Sequence, residues 1–166
     1  MTKRLLIIFL LILTRQHLIA GGDSTWTLHA GLLYCNISSD DSKVFAGLDM
    51  KAGYTFHRNW QSGLNVHLLL LDDNTVSPYT LAGGGPYLRW MPGRLFLDLS
   101  GTIVSGVKKK ETITMLTGRF SIGAQNKISD HLDLTPQVFI QFENVQGTNS
   151  TAIWRPGIIL SVVYHL

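Results

Sequence analysis

The stretch Lys43–Phe56, KVFAGLDMKAGYTF, decides the fold. Val44, Ala46, Leu48, Met50, Ala52, Tyr54 and Phe56 share one parity, and Lys43, Phe45, Gly47, Asp49, Lys51, Gly53 and Thr55 share the other. Successive side chains of a strand point to opposite faces, so this segment reads as a strand with one apolar and one mixed polar face.

The same period recurs on both sides. Trp26, Leu28, Ala30, Leu32 and Tyr34 alternate with Thr25, Thr27, His29 and Gly31. Leu64, Val66, Leu68 and Leu70 oppose Gln61, Gly63, Asn65 and His67. Further segments follow around Ala82–Trp90, Leu95–Ile103, Leu116–Ala124, Leu132–Phe142 and Trp154–Leu166, eight in all. A tilted strand needs roughly 9 to 11 residues to cross the hydrocarbon, whereas soluble strands average only about 5 to 6. The long segments here predict an all-β, eight-stranded antiparallel up-and-down transmembrane barrel.

The connections alternate in kind. His57–Asn59, Pro92–Arg94 and Asn126–Asp130 are short, while Asn36–Ser42, Asp72–Ser77, Ser105–Lys110 and Glu143–Ala152 are longer and more polar. Outer-membrane barrels have short periplasmic turns and longer external loops. Starting the first strand in the periplasm puts every short connection there. Trp26, Trp60 and Trp90 then mark the periplasmic ends of strands and Trp154 an outer end, with Tyr34 and Tyr79 beside it. With Tyr164 they predict an aromatic girdle at both interfaces.

Residues 1–22 read as a cleavable signal peptide and residues 23–166 as the barrel. Lys3 and Arg4 precede the apolar run Leu5–Leu13, which is too short to span a bilayer. Ala20 and Gly22 supply the small residues of a cleavage site after Gly22. The single cysteine excludes an intrachain disulfide framework. The 14 basic residues include Lys3, Arg4 and Arg15, so 11 basic and 11 acidic residues remain after cleavage. A neutral chain predicts no nucleic-acid partner.

The closing segment carries apolar residues at 158, 160, 162, 164 and 166, with aromatic Tyr164 near its end. It resembles the C-terminal signal of bacterial outer-membrane barrels, which the barrel assembly machinery reads. The chain as a whole resembles the small eight-stranded OmpA-like barrels of Gram-negative bacteria. That resemblance implies an outer-membrane location, contact with lipid and lipopolysaccharide, and no cofactor. It leaves the oligomeric state open.

An eight-stranded barrel has an interior just wide enough for side chains to fill. Asp49, Lys51, His67, Arg89, Asp98, Arg119, Asp133 and Arg155 fall on the inward parity and predict a polar lumen network. Buried charges must be paired. Hairpin registers predict an Arg89–Asp98–Arg119 cluster beside an Asp49–His67 pair. The expected role is to fill the lumen and pin the register; a narrow porin-like path or proton-linked gate is the functional alternative.

A lipid A-modifying enzyme is an alternative of a different class. The deacylase pattern of a histidine and a serine one residue apart is missing, since none of the six histidines has a serine two positions on. His67 and Asp49 could serve as base and orienter, but no serine stands out as nucleophile. No metal site is expected. A soluble lipocalin-like periplasmic barrel binding an apolar ligand is the other rival, and it requires the opposite facing. Lys108, Lys109 and Lys110 form a basic run in an expected outer loop, suited to lipopolysaccharide phosphates. Gly83–Gly85 read as a bend or bulge instead of a phosphate loop.

Overall fold

The computed structural model describes residues 25–37, 43–72, 79–108, 111–145 and 153–166. The expected signal segment and its cleavage site lie outside them, as do Lys109 and Lys110. Eight long strands run in chain order: β1 Trp26–Ile37, β2 Lys43–His57, β3 Trp60–Asp72, β4 Tyr79–Trp90, β5 Leu95–Lys108, β6 Glu111–Ala124, β7 Leu132–Val145 and β8 Ile153–His165. A two-residue ladder at Asn126–Lys127 pairs with the start of β7.

Each strand pairs antiparallel with its sequence neighbours. β8 also pairs with β1, from Thr27↔His165 to Tyr34↔Ile158, so the sheet closes on itself. The ends are stitched by Leu166 N–H to Trp26 O and His165 N–H to His131 O, both 2.9 Å. Closure removes the unpaired edges of an open sheet.

Period two becomes inside and outside. Leu32, Leu95, Leu99, Ile103, Val138 and Ile158 are more than half exposed on the outer face. Asp98, Asp133, Glu143 and Arg155 of the same strands are buried in the lumen. At the short-turn end, Gly93 adopts φ 87°, a conformation that favours glycine. The turns also brace one another: Met91 N–H donates to Asn59 O at 2.7 Å and Gln125 N–H to Arg94 O at 2.7 Å. Gly83 and Gly85 mark a close approach of strands, since a Cβ at either would lie 1.9 Å from a carbonyl oxygen of β5.

Five expectations change. Ser105–Val107, expected in a loop, continue β5 and pair with Thr112–Thr114, closing a tight hairpin at Lys108↔Glu111. That shorter connection slips the β5–β6 register by two residues, so Asp98 faces Ser121 and Arg119 faces Ser100. Glu143 likewise leaves its expected loop and is buried in β7. Tyr79 shares parity with buried Leu81 and packs against the interior, so it does not join the outer girdle. Tyr54 is buried although its alternation places it outside: it adjoins a register irregularity at Thr55/His57, and Trp26 packs on it with ring centroids 5.1 Å apart.

The girdle tryptophans lie outside. Trp26, Trp60, Trp90 and Trp154 are all exposed, with Trp60 and Trp90 6.3 Å apart at the short-turn end. Tyr164 is exposed there beside His131. The side chains of Tyr34 and Lys108 lie outside the described set.

Candidate functional site

The lumen holds two neighbouring regions. One is apolar: Leu33, Leu69, Leu81, Val104, Met115, Phe139 and Ile159 form one cluster, a residue from each strand except β2. The other is charged. Lys51, Arg89, Arg119 and Arg155 balance Asp49, Asp98, Asp133 and Glu143, all buried. An unpaired ion in such surroundings costs several kcal/mol, so partners are required.

Asp98 takes two cations on one oxygen. Lys51 Nζ and Arg89 Nη2 each lie 2.7 Å from Asp98 Oδ2, and Arg89 Nε adds a bond of 3.2 Å. The Arg89↔Asp98 register is the expected one. Arg119 reaches across the lumen and bonds to Asp49 instead of Asp98. Lys51 Nζ lies 3.9 Å from Asp49 Oδ1, joining the two carboxylates.

Asp49 faces His67 in the ladder as expected, and its Oδ2 lies 3.5 Å from His67 Nε2. Arg119 Nη2 approaches His67 Nδ1 at 3.0 Å. Arginine can only donate, so Nδ1 accepts and the ring proton sits on Nε2. Asn65 Nδ2 lies 2.7 Å from Nε2 and donates to Thr102 Oγ1 at 3.2 Å.

The chain of bonds extends both ways. Toward the short turns, Arg89 Nη1 meets His29 Nδ1 at 3.4 Å, and His29 Nε2 lies 3.1 Å from Thr27 Oγ1. Gln61 donates to the same Thr27 oxygen at 2.5 Å. In the other direction, Arg119 donates to Gln141 Oε1 at 2.8 Å, Gln141 to Glu143 at 2.8 Å, and Arg155 to Glu143 at 2.5 Å. Aromatic rings cover the cations: Arg89 lies 4.1 Å from the Phe96 centroid and Arg119 4.7 Å from that of Phe139.

The structure thus brings together Asp49, Lys51, His67, Arg89, Asp98 and Arg119. Arg155 joins through Glu143, a partner the sequence reading put in a loop. Asp133 stands apart at the short-turn mouth, bonded to Gln125 and 2.6 Å from His165 Nε2. The inward parity of His29 and Thr27 was readable; their bonding to Arg89 and Gln61 depends on cross-lumen distances that no spacing reveals.

At that mouth a polar bowl of about 500 Å³ opens above a floor of Thr27, His29, Gln61 and Arg89. An adjoining depression of about 470 Å³ shares Gly93 and Gln125 with it. On the rim, Lys127 and Asp130 pair at 2.8 Å. The hydrogen bond from Lys127 holds the Asp130 carboxyl below its usual range and raises the Lys127 ammonium. Among the described residues, no group of three or more histidine, cysteine or acidic side chains is arranged to hold a metal ion.

No protein-family model matches the chain, and a comparison with curated proteins finds no match. Among solved structures, Neisserial surface protein A is similar, with a TM-score of 0.58 at 13% identity over 86% of this chain and 97% of that one. The outer membrane protein AlkL, determined by solid-state NMR in DMPC bilayers, gives a TM-score of 0.52 at 12% identity over 86% and 90%. At such identities the likeness is one of fold.

Proposed function

We propose that this chain is a bacterial outer-membrane barrel of OmpA-like kind, with a structural or surface-interaction role and a lumen closed by its own side chains. One observation carries the reading: the buried charged residues of the strands point in, and most of the described leucines, isoleucines and valines point out. A soluble lipocalin-like barrel requires the reverse. An outer surface this apolar favours hydrocarbon over water. The fold shared with AlkL and Neisserial surface protein A supports the same location. Export by the signal segment, periplasmic placement of the short turns and recognition of β8 by the assembly machinery belong to this reading. So does contact of Lys108–Lys110 with lipopolysaccharide.

The role is non-catalytic. His67, the candidate base, is 1% exposed, and Asp49 is engaged by Arg119. The apolar cluster beside the ion pairs opposes a conducting path, because ions do not cross a dry apolar constriction readily.

Fractionation of cells expressing the full chain tests the location. Recovery in the outer membrane, with gel mobility that changes on boiling, is expected. Recovery as a soluble periplasmic protein overturns it. Purified barrel in planar bilayers should give no steady conductance, and unaltered lipid A in expressing cells should accompany it.

A further inference from the structure

The short-turn end is more than a cap on the lumen. Two contiguous depressions of about 500 Å³ and 470 Å³ lie side by side there, joined at Gly93 and Gln125. Arg58 lines the first and Arg94 the second, and both are exposed. Neither forms a salt bridge among the described residues, whereas Lys127 nearby is neutralised by Asp130. The carboxylate lining the second depression, Asp133, is already held by Gln125 and His165. The other accessible polar side chains lining the two depressions include Thr25, Thr55, Asn59 and Asn126: hydroxyls and amides.

Amides and hydroxyls in a shallow trough suit sugar hydroxyls. Two separated, unneutralised guanidiniums suit carboxylates spaced along a chain, since arginine recognises carboxylate in a planar, bidentate manner. The elongated, two-lobed shape suits an oligomer better than a single small anion. We propose that the short-turn face is a two-subsite cradle for an acidic oligosaccharide, with Arg58 and Arg94 each taking one carboxylate. Under the outer-membrane reading the ligand comes from the periplasm; the binding itself does not depend on that reading.

The test uses the full folded chain in zwitterionic micelles, titrated calorimetrically with tetragalacturonate, maltotetraose and inorganic phosphate. Saturable binding of tetragalacturonate, about tenfold or more tighter than maltotetraose, is expected. Arg58→Ala with Arg94→Ala should weaken it about tenfold or more, and Arg58→Lys with Arg94→Lys should restore part of the loss. Boiling-dependent gel mobility should stay unchanged in all variants, which separates loss of the site from loss of the barrel. Absence of saturable binding overturns the proposal, as do equal affinity for the neutral glycan and wild-type affinity in the double alanine variant. Phosphate competing as well as tetragalacturonate at equal charge also overturns it, because simple ion attraction then suffices.

Discussion

Two ion pairs of nearly equal length occupy opposite surroundings. Lys51 and Asp98 meet at 2.7 Å with side chains 1% exposed, and Lys127 and Asp130 meet at 2.8 Å with side chains 67% and 89% exposed. Distance alone would rate them alike. Water makes the difference: at the rim each partner is solvated with or without the other, while in the lumen only the partner neutralises it. The lumen pairs therefore act less as glue than as a condition on the sequence. Removing one member strands the other.

The largest effect should follow Asp98→Ala, which leaves Lys51 and Arg89 without their carboxylate. Stability should fall by about 3–5 kcal/mol, read by urea unfolding in micelles with tryptophan fluorescence. A loss no larger than that of an exposed pair would erase the contrast and mean that water reaches the lumen. Next comes Phe139→Ala in the apolar cluster, expected to cost about 3–5 kcal/mol by opening a cavity beneath Arg119. Paired with conductance in planar bilayers, this variant asks which region closes the lumen: new current is expected if the apolar cluster is the seal. Glu143→Gln should cost less, about 1.5–3 kcal/mol, because the amide retains one acceptor for Arg155. Lys127→Ala should leave the unfolding midpoint unchanged, and a clear shift would show that the rim pair is less solvated than its exposure indicates.

Strand periodicity was legible wherever polar and apolar residues alternate, as in Asp49–Lys51 and Asn65–His67. The apolar lumen cluster was not. Leu68, Leu69, Leu70 and Leu71 run without alternation, so only the parity carried on from His67 marks Leu69 as inward. The same holds for Leu32 and Leu33. Which residue Arg119 faces depended on the β5–β6 connection, where Ser105–Lys108, read as loop, continue β5 to the Lys108↔Glu111 pair. Turn length sets register, and a two-residue slip keeps every face while changing every partner. Glu143 was hidden by its own charge: next to a polar stretch it resembles loop, and only its burial and the bond it accepts from Arg155 identify it as lumen.

The pairing of β8 with β1 also governs time. Thr27 finds its partner His165 across nearly the whole described chain. Every other neighbouring pair is a local hairpin and can form soon after its two strands are made. The seam cannot, and contacts so distant in sequence are slow to form. Until it zips, β1 keeps an unpaired edge open to any other strand in reach. Completion of this barrel is therefore a single late event, and whatever shields β1 until then decides how much chain is lost to wrong partners.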